Sequence, residues 1–148
     1  MNFRPLTIAD IDAVMSLEQS IPNSLWWKSA TRDEQLPILE SGNEYGVFEN
    51  TILIGKVGFE KSETNTWHVD GLIIANKFRG KQYGSQLFTY ALEQCVNKEH
   101  PTTLELFVYP KNSSAISLYL KNGFVIKEWI NNKYGEGKHR LKLIKQLR

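Results

Sequence analysis

Two stretches of this 148-residue chain combine residue types that could do chemistry. The first is DGLIIANKFRGKQYGSQLF, from Asp70 to Phe88. An apolar run through Ile73, Ile74 and Ala75 stops, and Arg79, Gly80, Lys81, Gln82, Tyr83, Gly84 and Ser85 follow before a second apolar pattern begins at Leu87. A glycine-containing loop between a strand and a helix suits an anion. The first N–H groups of a helix lack internal partners, and its dipole places partial positive charge there. Glycine lets backbone come close, and Arg79 and Lys81 add charge. A pyrophosphate is the natural occupant, although neither the G-x-x-x-x-G-K-[ST] nor the G-x-G-x-x-G pattern is present. A helix-capping surface turn would use the same residues. The second stretch is YPKNSSAISLYLKNGF. Its Asn112, Ala115 and Tyr119 are spaced by three and four, so a helix would place them on one face. An amide, a small residue and a phenol in a row could guide a slender chain and present an O–H at its end. Asn112 reads equally as an N-cap, and Tyr119 as a core aromatic.

The elements that must hold these residues follow from periodicity. A strand is expected from Asn2 to Leu6, then a helix opened by Thr7 with Asp10 as its capping acid and Ile11, Val14, Met15 and Leu17 as its apolar stripe. Pro22 and Asn23 break it. Thr31 and Glu34 open a second short helix, made irregular by Pro37. EYGVFEN and TILIGKVGFEK form a hairpin turning at Asn50-Thr51, and TNTWHVDGLIIA is a third long strand. SQLFTYALEQCVNK reads as a helix, TTLELFVYP as a strand, and NSSAISLYLKNGF as a helix closed by Asn122-Gly123. FVIKEWINNKY and HRLKLIKQL are the last two strands, turned by Gly135 and Gly137. This order predicts an α/β domain with a partly antiparallel sheet, one domain over 1–148 with no repeat, linker or low-complexity segment.

Composition narrows the function. The length suits one domain with a proper core. A net charge of +2, with both signs interspersed, argues against a nucleic-acid platform. The basic C-terminus KHRLKLIKQLR alternates its cations with Leu and Ile, as the solvent face of a strand does. The single cysteine, Cys95, allows no intrachain disulfide and falls on the apolar side of a helical pattern, so it reads as core filler. MNFRPLTIAD lacks an apolar signal region, and no apolar run approaches a membrane span. A cytoplasmic protein is expected.

Taken together, RGKQYG and NSSAISLYLKNGF, within this element order, resemble the GNAT superfamily of acetyl-CoA-dependent N-acetyltransferases. The family loop reads [QR]-x-x-G-x-[GA]. Arg79 and Gly84 match its ends, whereas Gln82 stands where the first family glycine would be. The resemblance implies a mixed α/β fold: a mostly antiparallel sheet of about seven strands with a splayed parallel pair, and about four helices. It implies acetyl-CoA as co-substrate, no metal, and an amine acceptor; related domains often pair as homodimers. Backbone around Ile73, Ile74 and Ala75 would pair with the pantetheine arm like an added strand. Amides from Lys81 to Ser85 would hold the pyrophosphate, Asn112 would touch the arm, and Tyr119 would stand near the thioester sulfur.

Such enzymes use direct attack by the amine, which must first lose a proton, since an alkylammonium has a pKa of about 10.4. His68, Asp70, Leu72 and Ile74 alternate on their strand. His68 occupies the place where many relatives carry a carboxylate, and an imidazole is a side chain suited to accepting a proton, so it is the first candidate base. Asp70 is second, Glu105 third, and a water chain is a further option. The acceptor side would be built by Trp26 and Trp27, between the first two helices, and by Tyr134 in the last turn. Two other readings stay open: an acyltransferase using a different acyl-CoA, and a CoA-binding regulatory module without turnover.

Overall fold

Asn50 sets the first hairpin by adopting the left-handed region (φ 56°), which an asparagine tolerates in a tight turn. It reverses strand β2 (Glu44–Glu49) into β3 (Ile52–Glu63). The computed structural model describes residues 1–147; Arg148, the last cation of the basic C-terminus, lies outside the described residues. The remaining strands are β1 (Asn2–Pro5), β4 (Thr66–Ile74), β5 (Thr103–Val108), β6 (Val125–Ile130) and β7 (Arg140–Gln146). The helices are α1 (Ile11–Gln19), α2 (Arg32–Ser41), α3 (Tyr83–Glu99) and α4 (Ser113–Lys121). The seven strands form one mixed sheet in the order β1-β2-β3-β4-β5-β7-β6. β4 and β5 run parallel, with a ladder from Thr66↔Thr103 to His68↔Glu105. The pairs β1–β2, β2–β3, β5–β7 and β6–β7 are antiparallel. The expected element order and the parallel pair are both present.

The residues group into two compact units. The first comprises Met1–Pro22, Ser29–Glu60 and Val69–His100. The Thr7 box opens a 3-10 turn over Ile8–Asp10 that leads into α1 at Ile11, a correction to the helix expected from Thr7, whereas α2 begins as its sequence predicts. Asp10 accepts from the Thr7 N–H at 2.8 Å, and Thr31 and Glu34 exchange bonds of 2.9 and 3.2 Å. α2 carries Pro37 inside it and still runs to Ser41, ending at Gly42 in the left-handed region (φ 78°). Leu87, Phe88, Ala91, Leu92 and Cys95 line the buried stripe of α3. Burial pushes the Cys95 thiol up to about 12, with a smaller contribution from Glu99, so this thiol is a neutral apolar filler.

The second unit comprises Asn23–Lys28, Lys61–His68 and Pro101–Arg148. α4 ends as the Asn122-Gly123 pair predicts: Gly123 takes φ 90°, and Phe124 N–H donates to Tyr119 O at 3.1 Å. One expectation needs correction. The strand read as running through Tyr134 stops at Ile130, and residues 131–139 form a loop. Asn132 turns at φ 48°, and its Oδ1 accepts from Gly137 N–H at 2.9 Å, so a local side-chain bond outcompetes the ladder.

Candidate active site

In the first unit the chain leaves β4 through a 3-10 turn over Asn76–Phe78. Ala75 N–H donates to Ile54 O at 2.8 Å. Backbone groups alternate along a strand, so the N–H and C=O of Ile74 face the opposite edge. The Ile74 carbonyl accepts from Arg79 Nε at 3.0 Å, which ties the loop's first cation to the strand end. Phe78 is the loop's buried anchor, with the ammonium groups of Lys77 and Lys81 at 5.2 and 5.7 Å from its ring centre. Gly80 (φ 77°) has open space where a Cβ would stand. Gln82 (φ 67°) supplies a second left-handed turn and is the N-cap of α3 without a side-chain cap bond. The glycine expected there is therefore replaced by a residue that keeps the glycine-like backbone. The first helical bond runs from Gln86 N–H to Gln82 O, so the N–H groups of Tyr83, Gly84 and Ser85 open the helix without helical partners. A Cβ on Gly84 would meet only Ile74, at 3.5 Å.

The other motif lies in the second unit. Asn112 is the N-cap of α4, its Oδ1 accepting from Ala115 N–H at 3.3 Å. The capping reading of Asn112 thus holds, and its amide NH2 points away from that duty. Ala115 is half-buried, and Tyr119 is buried with its ring 6.0 Å from that of Phe124.

The second unit also gathers a row of rings and cations. The His68 ring lies 5.5 Å from Phe107, and Lys133 Nζ sits 4.0 Å from the Phe107 centre and 5.4 Å from that of Tyr134. Arg140, buried at the start of β7, places its guanidinium 5.0 Å from Tyr134 and 5.6 Å from Tyr109. Tyr109 in turn stacks on Trp26 at 5.6 Å and 24°. The candidate base His68 and the acceptor candidates Trp26 and Tyr134 therefore belong to one set of contacts. Trp27 is half-buried, with its indole N–H buried and unpartnered among the described residues. Trp26 is about half exposed, in a bend where Ser24 N–H donates to Trp27 O at 2.8 Å.

The other two base candidates differ in their surroundings. Asp70 is exposed on β4, past which Gly71 takes φ 59°. Glu105 pairs with Lys142 at 3.7 Å. Among the described residues no three His, Cys, Asp or Glu side chains cluster as a metal site, and no helix is long and apolar enough to cross a membrane.

The acetyltransferase (GNAT) family model matches residues 11–124, which include the phosphate-type loop and α4. The chain belongs to the GNAT acetyltransferase family. Solved structures agree on the fold of this GNAT protein. A chain in the NatC complex bound to Gag peptide and CoA is 19% identical, with TM-score 0.87, covering 99% of this chain and 98% of that one. A ribosomal-protein-alanine N-acetyltransferase from Brucella melitensis is 16% identical, with TM-score 0.85, over 99% and 100% of the two chains. An acetyltransferase of the GNAT family from Streptococcus pneumoniae is 19% identical, with TM-score 0.83, over 99% of each. At these identities the likeness is one of fold. No curated protein sequence matches this chain.

Sequence reasoning missed four members of the row: Phe107, Tyr109, Lys133 and Arg140. Phe107 and Tyr109 sit two apart in LFVYP, so they share a strand face, and that was the available signal. Nothing local marks Arg140. It reads as one more strand cation until the turn above it folds Tyr134 back.

Proposed function

We propose that this GNAT protein transfers the acetyl group of acetyl-CoA to a primary amine of a small molecule or peptide, by direct attack within a ternary complex. The observation that carries the reading is the unsatisfied N–H run of Tyr83, Gly84 and Ser85, flanked by Arg79 and Lys81, in a chain of this family. The open space at Gly80, and the lack of a side chain at Gly84, where a Cβ would touch only Ile74, suit a pyrophosphate held by backbone. Ile73, Ile74 and Ala75 offer strand-edge groups to the pantetheine arm, and Asn112 has its amide NH2 left over for the same chain. Ala115 leaves room beside it.

Acetyl-CoA supplies an activated acetyl group: the amine nitrogen bonds to its carbonyl carbon and the carbon–sulfur bond breaks. A backbone N–H of the strand near Ile74 is the donor assigned to steady the negative charge that builds on the carbonyl oxygen. Tyr119 gives its phenolic proton to the departing sulfur. His68, or a water beside it, takes the proton lost by the amine, and Trp26 and Tyr134 flank the acceptor. No covalent acyl-enzyme is required, and the buried Cys95 takes no part.

The experiment is incubation of the protein with acetyl-CoA and a panel of polyamines, aminoglycosides, amino acids and peptides, following free thiol. Turnover with any amine supports the reading. Acetyl-CoA binding without thiol release across the panel favours a cofactor-sensing module, and release with a longer acyl-CoA but not acetyl-CoA moves the donor assignment.

A further inference from the structure

Arg140 is the one described arginine that is buried, at 7% exposure, yet it has no carboxylate within ion-pair distance among the described residues. Its recorded hydrogen bond is a single one, from Nη1 to the neighbouring His139 carbonyl at 2.8 Å. A guanidinium has five N–H donors in a planar fork. Charge removed from water without a counter-ion is costly. Two tyrosine faces, Tyr109 at 5.6 Å and Tyr134 at 5.0 Å, offset part of that cost through their rings. They offer no carboxylate to the N–H edge of the fork, where a planar anion would pair. Burial holds the Arg140 guanidinium below its ordinary value, with Tyr134 and Tyr109 opposing that shift. Lys133 adds a second cation over the same Tyr134 ring.

Aromatic groups surround Arg140. Trp26 and Tyr134 are each about half exposed while contacting the buried pair Tyr109 and Arg140. The loop carrying Tyr134 is itself braced: Gly137 backs onto Leu25, where a Cβ would lie 3.6 Å from the leucine side chain. The position of the fork is thus set by two loops and one strand end within a single unit.

We infer that Arg140 receives a carboxylate of the acceptor, so that the amine acetylated belongs to an amino acid or to a peptide N-terminus with a carboxylate close behind it. This rests on the N-acetyltransferase reading above. A bidentate arginine–carboxylate pair is directional as well as charged, and a site built for it rejects an analogue lacking the charge, because the buried fork is then left unpaired.

The test compares carboxylate and amide forms of the same acceptor. One arm uses free amino acids and their amides. The other uses C-terminally amidated tetrapeptides with Asp or Asn at the second position. With acetyl-CoA and the wild-type protein, the carboxylate form is expected to have at least about tenfold higher kcat/KM in one arm. The arm that shows it identifies the source. In Arg140→Met that ratio falls toward one, through KM, and Arg140→Lys restores part of it. Equal rates for both forms in both arms overturn the inference while leaving the enzyme reading intact. Binding gives an independent readout: titration of the same pairs, followed by tryptophan fluorescence and calorimetry, without acetyl-CoA. Tighter binding of the carboxylate form, lost in Arg140→Met, supports the inference even where no thiol is released. Indifference to the carboxylate overturns it.

Discussion

Lys56 on β3 donates to Glu44 on β2 at 2.8 Å, with both side chains almost fully buried. Lys56 also lies 3.6 Å from Glu18 of α1, so one ammonium serves two carboxylates beneath the helices. Burial draws the Lys56 ammonium down, but Glu44 and Glu18 outweigh it and leave it raised. Removing the cation strands two buried carboxylates. Lys56→Met is therefore expected to cost about 3–5 kcal/mol, read as a lower midpoint in urea unfolding. A midpoint equal to wild type would show that the cluster is hydrated and unimportant.

Glu18 should give the protein a particular pH response. Its carboxyl is raised above 4.5 chiefly by burial, with Lys56 and the Ala30 backbone opposing, and its Oε2 makes no hydrogen bond among the described residues. Gln35 donates to its other oxygen. A carboxyl whose folded pKa is raised binds its proton more tightly when folded. Its contribution is thus complete below the ordinary carboxylate value and is lost as pH rises through the raised one. Glu18→Gln is expected to flatten the fall in stability above pH 4.5, seen in denaturation midpoints across pH. An unchanged slope would assign the effect to other groups.

Gly84 separates fold from ligand. Its φ is not in the left-handed region, and an added Cβ meets only Ile74 at 3.5 Å. Gly84→Ala should therefore fold and bind acetyl-CoA. Gly84→Glu places a carboxylate in the first turn of α3, which favours the helix by about 0.3–1 kcal/mol, while charge and bulk repel the pyrophosphate. Calorimetry should find acetyl-CoA affinity abolished in a protein that melts no lower than wild type. Retained affinity would displace the phosphate site from this loop.

Tyr119→Phe keeps the ring that packs on Phe124 and removes the phenolic O–H proposed as the acid. Turnover is expected to fall about a hundredfold, the low end for loss of a general acid, with acetyl-CoA binding little changed. Wild-type turnover in this variant would take Tyr119 out of the proton-transfer role.

Most of the architecture was already legible in local chemistry. The capping pairs Thr31 with Glu34 and Asn122 with Gly123, the Asn50 turn and the α3 stripe act over a few residues, so their partners are adjacent in the chain. The same holds for the loop before Gly84, whose proposed phosphate contacts are backbone groups that any helix start exposes. Tertiary structure alone decided the rest. The pairing of Glu105 with Lys142, the burial of Lys56 between Glu18 and Glu44, and the seating of Arg140 between Tyr109 and Tyr134 join residues from separate elements. Whether a cation is a solvated surface charge or a buried one depends on what the distant chain removes from water around it, and sequence spacing carries no record of that.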